Sequence, residues 1–349
     1  MVAGASPGRI APQSGSWWAA PVPRTSLLSA DSPSRRLRRR LAAALPEPVT
    51  TAIQTLRGRT QPEVISLADL DGKLTEAAEL FAISEDAARQ FLQSFRLAPP
   101  PGRPADPFTH EYREWVWDLY RKVSGRSDYS LANEASPFDL EAAVVTPYPY
   151  STRSTTVVGE ELVARGFLIS SLDLGPPARI VEFGSGWGNL TLDLAATGFL
   201  VTAVEVEARF CTLTERRCHH PDRVSVVHGG MLEFEPDEPF DAAIFYESFH
   251  HCADHLAMLE RLHRIVRPGG RVLWAAEPVA PMRYPWGLRL DGYSLWSTRT
   301  YGWLELGFDD RYFAEALART GWRGRRSTLR AGSPLADVIV AIKAPLSAV

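Results

Sequence analysis

The stretch Val181-Glu182-Phe183-Gly184-Ser185-Gly186-Trp187-Gly188-Asn189 constrains this chain more than any other. The run from Arg179 to Phe183 is apolar and short, as a buried parallel strand would be, and Leu190 to Ala196 has the pattern of a helix. Between them stand three glycines at alternate positions. Glycine turns the chain tightly and lets a ligand approach the backbone with no side chain in the way. Strand, glycine turn and helix in this order open a nucleotide-binding unit. The rhythm continues downstream. Strands are expected at Leu200–Val204, Val224–His228, Asp241–Phe245 and Arg271–Ala275, with helices at Glu207–Arg217 and His255–Val266. Such alternation predicts an α/β fold with a mostly parallel sheet covered on both faces.

Carboxylates stand where a nucleoside needs them. Glu205 ends the second of these strands, 17 residues after Gly188. An acid in this place accepts hydrogen bonds from both hydroxyls of a ribose. Glu207 is the rival, better read as a helix-start residue. No lysine and hydroxyl follow the glycines, which argues against a triphosphate loop. Ligands of open α/β sheets bind beyond the carboxyl ends of the strands. That rule puts Tyr246, Glu247, Ser248, Phe249, His250 and His251 at the mouth of the fourth strand.

Together, the acidic residue and alternating glycines, Glu205, the segment His228-Gly229-Gly230-Met231-Leu232 and the Arg267-Pro268-Gly269-Gly270 turn resemble class I S-adenosylmethionine (SAM) dependent methyltransferases. The resemblance covers about residues 157–345. It implies a Rossmann-like, mostly parallel seven-stranded sheet whose last two strands, Ser327–Ala331 and Asp337–Lys343, pair antiparallel at one edge. It implies SAM as cofactor, with Glu182, Gly184, Ser185, Gly186 and Gly188 around the methionine end and Glu205 on the ribose. Many relatives carry an aspartate for the adenine amino group where this chain has Gly230. Adenine recognition then falls to backbone groups and to packing from Met231 and Leu232, with Tyr246 nearby.

Methyl transfer asks the protein for alignment and, at an oxygen or nitrogen acceptor, for removal of a proton. His250, His251 and Glu247 are the candidates, His250 first. The alternative for each histidine is a hydrogen-bonded loop residue. His251, Cys252 and His255 are too few for a zinc site, so no metal is expected. The segment 278–308 interleaves aromatic and arginine side chains. Tyr284, Trp286, Arg289, Tyr293 and Trp296 are candidate acceptor contacts; the competing reading is packing on the first 156 residues or a dimer contact.

The 349 residues divide, on this reading, into a disordered or loosely docked lead (1–34), a helical accessory region (35–156) and a SAM-binding domain (157–349). Helices are expected at Val49–Leu56, Leu74–Phe81, Glu85–Leu97, Thr109–Lys122, Val157–Ile169 and Asp309–Thr320, with a turn or helix at Ile65–Leu70 and irregular chain over 124–156. The arginines at 35–40 read as a solvated helix start, the alternative being a nucleic-acid or membrane patch. A net charge of −3 gives no global basic field for nucleic acid, and no apolar stretch approaches membrane length. Three cysteines make no disulfide framework, so a reduced cytoplasmic setting is expected. A homodimer would house the extra helices and aromatics. The function expected is O-methylation of a polar natural product or sugar-containing small molecule. The alternatives are a repurposed SAM-fold enzyme and a non-catalytic regulatory or binding protein.

Overall fold

The computed structural model describes residues 61–135, 138–329 and 337–343. The readings made for 1–34, for the arginines at 35–40 and for Val49–Leu56 lie outside the described residues.

The chain separates into two compact units. The smaller comprises, among the described residues, 61–99 and 290–293. It contains strand β1 (Glu63–Ile65), helices α1 (Leu70–Ile83) and α2 (Glu85–Gln93), and strand β2 (Phe95–Leu97), which pairs parallel with β1. The Ser84 hydroxyl caps α2 by accepting from the Ala87 N–H. The sequence reading carried this helix on to Leu97. Instead it ends at Gln93 with Ser94 as its C-cap, and Phe95 and Leu97 turn inward on either side of half-buried Arg96, a period of two that belongs to a strand. Residues 290–293 close the unit: Leu290 accepts from the Leu97 N–H at 2.8 Å, and the Tyr293 hydroxyl donates to Arg89 O at 2.9 Å.

The larger unit begins with α3 (His110–Ser124), α4 (Leu140–Val145) and α5 (Thr155–Ser171). The segment 124–156, expected to be irregular, therefore contains α4 as well as two single 3₁₀ turns at Leu131–Glu134 and Tyr150–Thr152. Three residues cap α4, α5 and α3 in the same way: Asp139, Ser154 and Thr109 accept from backbone N–H groups of the first turn. The core follows as β3 (Arg179–Phe183), α6 (Asn189–Thr197), β4 (Leu200–Glu205), α7 (Ala208–Arg217), β5 (Val224–His228), β6 (Phe240–Tyr246), α8 (His255–Ile265) and β7 (Val266–Ala275). A small antiparallel pair, β8 (Trp286–Leu288) with β9 (Leu306–Phe308), encloses α9 (Gly292–Thr300). Helix α10 (Asp310–Arg319) and strands β10 (Trp322–Thr328) and β11 (Asp337–Lys343) complete it.

Seven strands form one sheet in the order β10-β11-β7-β6-β3-β4-β5. All pairings are parallel except those of β11, which runs antiparallel to both its neighbours. This is the Rossmann-like sheet that the resemblance implies. Strand β10 begins at Trp322, five residues before its expected start. Its residues 323–326 are exposed and charged or glycine, so this edge strand has no apolar alternation to read. Trp322 anchors it, buried, with its indole N–H donating to Leu259 O at 2.9 Å.

Ile180, Leu190, Leu194, Val201, Ile244 and Leu273 join one buried cluster between sheet and helices. Each such side chain contributes about 1.5–3 kcal/mol on burial. The strand order reverses at β3, which has β4 on one side and β6 on the other. That switch point opens a crevice at the carboxyl ends of the strands.

Candidate active site

The chain leaves β3 through Gly184, Gly186 and Gly188, all at positive φ (70°, 48° and 71°). Two of these glycines are also required by contact. A β-carbon at 184 would stand 2.6 Å from Ser248 Cβ, and one at 188 would stand 2.3 Å from Thr214 Oγ1. A β-carbon at Gly186 would meet nothing within 4 Å. The turn is thus packed at its ends and open in its middle, where the Ser185 hydroxyl oxygen is buried with no hydrogen-bond partner among the described residues.

The turn borders a cleft of about 250 Å³. Of the residues singled out for a cofactor, Glu182, Gly184, Ser185, Gly186, Glu205, Gly230, Met231 and Tyr246 line it. Gly188 and Leu232 do not; Gly188 instead holds the start of α6 against α7. Glu205 is buried at the end of β4. Its Oε2 accepts from the Gly186 N–H at 2.8 Å and its Oε1 from the Glu207 N–H at 3.0 Å. Burial pushes its carboxyl up, while these backbone donors oppose the shift. Each oxygen keeps a second lone pair for a ligand. Glu182 is fully enclosed and accepts from the Thr191 hydroxyl. Burial, with Glu205 adding to it, pushes its carboxyl up to about 8, although the Thr191 bond acts the other way. A β-carbon at Gly230 would stand 2.2 Å from Glu233 Oε2 and 2.7 Å from Leu131 Cδ2, so the first 3₁₀ turn meets the β5 loop at this glycine.

The other end of the cleft is built from the β6 mouth. Glu247 sits at φ 52°, a left-handed conformation that costs a non-glycine residue roughly 1–2 kcal/mol. Its N–H donates to Ala275 O at 3.0 Å, which holds the turn. Its Oε1 is buried with no hydrogen-bond partner among the described residues. Burial first, then the nearby Glu161 and Glu277 charges, raise its carboxyl well above the usual range, against the pull of Arg289. These surroundings favour its protonated form. The Tyr246 hydroxyl donates to Glu161 Oε2 at 2.9 Å, and Arg165 on α5 pairs with Asp193 at 2.7 Å.

The two histidines have different surroundings. His250 is fully buried and does not line the cleft. Its Nδ1 faces Glu277 Oε2 at 2.7 Å, and burial lowers its pKa to about 4. His251 lines the cleft, with its side chain 23 % exposed. Its Nδ1 is buried and faces Glu134 Oε2 at 3.0 Å. Burial opposes its charge, but the carboxylates of Glu134, Glu305 and Glu277 outweigh burial and push its pKa up to about 9.

Several site residues carried no signal in the sequence. Glu134 stands 45 residues or more upstream of the core, on the first 3₁₀ turn, and its second oxygen accepts from the Leu304 N–H at 2.9 Å. Glu277 accepts from the backbone N–H groups of Ser248, Phe249 and His250 at 2.8, 2.8 and 3.2 Å. Its carboxyl lies below the ordinary range: the His250 ring and these N–H groups outweigh burial, which alone would raise it. Trp303 is the residue of the 278–308 segment that lines the cleft. Tyr284, Trp286, Arg289, Tyr293 and Trp296 do not. Trp286 is buried, its indole donating to Pro107 O at 2.9 Å, while its own carbonyl accepts from the Tyr112 hydroxyl. The charge of Arg289 still reaches Glu247 and His250.

Among the described residues no group of three or more His, Cys, Asp or Glu side chains is arranged to hold a metal. Cys252 is buried, and His255 Nε2 faces the Tyr312 hydroxyl at 2.6 Å.

Residues 180–270 match the sequence family described as Methyltransferase domain. This segment is a class I SAM-dependent methyltransferase domain. It comprises the glycine turn, Glu205 and both histidines. The chain is 29 % identical over 140 residues to a demethylmenaquinone methyltransferase of Mycobacterium sp. (strain KMS), covering 40 % of this chain and 57 % of that protein. It is 31 % identical over 99 residues to an uncharacterized methyltransferase of Anoxybacillus flavithermus, covering 28 % and 45 %. The chain thus spans about half the length of the curated relatives it matches. Among solved structures, it is similar to the 1,6-didemethyltoxoflavin-N1-methyltransferase of Burkholderia thailandensis with bound 1,6-didemethyltoxoflavin and S-adenosylhomocysteine (SAH), at 21 % identity and a TM-score of 0.43, over 71 % of this chain and 95 % of that one. The cofactor such a domain implies is SAM. The residues present fit it: the methyltransferase domain offers an open glycine turn, the unpartnered Ser185 hydroxyl and the Glu205 carboxylate along one cleft.

Proposed function

We propose that the chain is a SAM-dependent methyltransferase acting on a polar small molecule, with oxygen as the methylated atom and a natural product or sugar-containing compound as the acceptor. The observation that carries this reading is one cleft at the switch point with Glu205 and Ser185 on one side, and Glu247 and His251 on the other. Bound there, SAM supplies an already activated methyl group. Glu205 accepts from the ribose hydroxyls, and Ser185 and the Gly186 region take the methionine end. Gly230 and Met231 flank the adenine through backbone and apolar contact. Glu247 and His251 face the acceptor, and the first 3₁₀ turn with Trp303 limits the water that reaches it. A homodimer and a cytoplasmic setting belong to the same proposal.

The test is a calorimetric titration with SAH. Binding to the wild-type protein, weakened at least about tenfold in Glu205→Gln and in Glu205→Ala, supports the reading, because a hydrogen bond to a charged group is worth about 1.5–3 kcal/mol. No SAH binding to the wild-type protein would remove it.

A further inference from the structure

We propose that the acceptor is a phenol or an enol, held as its oxyanion by the imidazole of His251, the carboxyl of Glu247 and the indole N–H of Trp303. This deepens the methyltransferase reading and rests on it. The three residues line the same cleft. Glu134 Oε2 faces the Nδ1 edge of His251 at 3.0 Å and holds the ring where it lines the cleft. Glu247 Oε1 and Trp303 Nε1 are both buried polar atoms with no partner among the described residues, and an unpaired buried polar group is costly unless a ligand satisfies it. Trp303 stacks on Tyr301 with ring centroids 4.7 Å apart and stands edge-on to His251 at 6.2 Å, which fixes an aromatic wall beside the imidazole.

The charge states agree with this geometry. Around His251 stand Glu134 from the first 3₁₀ turn, Glu305 ahead of β9, Glu277 after β7 and His250 beside it. The three carboxylates keep the imidazole protonated at neutral pH. Around Glu247 stand Glu161, Glu277 and Arg289, and burial with the two carboxylates favours its protonated form. This end of the cleft therefore offers N–H and O–H donors. An oxyanion accepts from all of them. A protonated amine would face the His251 charge, and a neutral amine could accept only through the lone pair it needs to attack the methyl group.

On this account the hydroxyl proton leaves to solvent as the acceptor binds. The oxyanion then forms the new oxygen–carbon bond with the methyl group. The sulfur–carbon bond breaks with its electron pair on sulfur, leaving a neutral thioether. His251 serves as a charge partner in this step and removes no proton.

The test uses the SAH-saturated protein and 4-nitrophenol, whose ionisation is read from its visible absorbance, with benzylamine as the competing class. The expected result is that bound 4-nitrophenol ionises about one pH unit below the free compound, an about tenfold preference for the anion. His251→Gln and, separately, Trp303→Phe should each diminish that shift, with SAH affinity measured alongside as the control for folding. A bound phenol with an unchanged or raised pKa, no binding of 4-nitrophenol beside bound SAH, tighter binding of benzylamine, or a shift that survives both variants would overturn the proposal. Failure of SAH to bind is a different result and removes the methyltransferase reading itself.

Discussion

Glu277 shows how much one side chain can organise. Its two oxygens receive three consecutive backbone N–H groups and face the His250 ring, so the turn that presents Glu247 and His251 is tied to the end of β7 by one buried carboxylate. Removing it leaves several buried donors unpaired. Glu277→Ala should lose about 3–5 kcal/mol of stability, the scale for breaking a buried charged network, and Glu277→Gln less, measured by chemical denaturation. A loss under 1 kcal/mol in the alanine variant would contradict this account. Glu205 was legible in the sequence because a strand end at a set distance from a glycine turn is a pattern. Glu277 was not: it is a lone acid whose partners lie 27–29 residues upstream. His251 lay between the two cases. Its place at the mouth could be read, but its protonation depends on Glu134, which no local spacing connects to it.

At the scale of elements, the glycine turn divides its work between contact and conformation. Gly188→Ala has to adopt a left-handed backbone and also displace the buried Thr214 hydroxyl of α7. Gly186→Ala meets the backbone cost alone. The second substitution should cost about 1 kcal/mol and the first about 2–4 kcal/mol, seen as ordered losses of thermal stability. Equal losses would mean that the α7 contact is soft. Six of the seven strands of the main sheet were readable to within a residue at their carboxyl ends, the five parallel ones because buried parallel strands are nearly continuous apolar runs. The edge strand β10 and the short β2 were not, the one because its exposed residues carry no alternation, the other because three residues are too few to interrupt a helical pattern. The aromatics of 278–308 show the limit from the other side. Composition marked the segment, yet which indole meets the cleft depends on how β8, α9 and β9 close over α3, where Tyr112 and Tyr120 donate to Trp286 O and Gly302 O.

For the whole molecule, the buried titratable groups set a pH dependence with a definite sign on the alkaline side. His251, raised to about 9 from 6.5, and Glu182, raised to about 8 from 4.5, both keep protons in the folded state that the unfolded chain releases. Glu247 acts in the same direction. Their contributions are fully present below the unfolded pKa values and are lost as pH rises through the folded ones. The ligand-free protein should therefore lose stability steadily between pH 6.5 and 9, by up to about 1.4 kcal/mol per pH unit for each such proton. His251→Gln should flatten this slope; an unchanged slope in that variant would mean that the proton resides elsewhere. The shared carboxylate of Glu134 has a further consequence, which concerns time. Its two oxygens join segments that are made far apart, since Leu304 follows it by 170 residues. At roughly 5–20 residues per second, a ribosome needs about 10–30 s to cover that interval. Throughout it the nascent chain already contains Glu134 but lacks the strand approach that Leu304 provides. The glycine-turn side of the cleft is encoded in one continuous stretch from Glu182 to Met231, whereas the surroundings of His251 wait for Leu304.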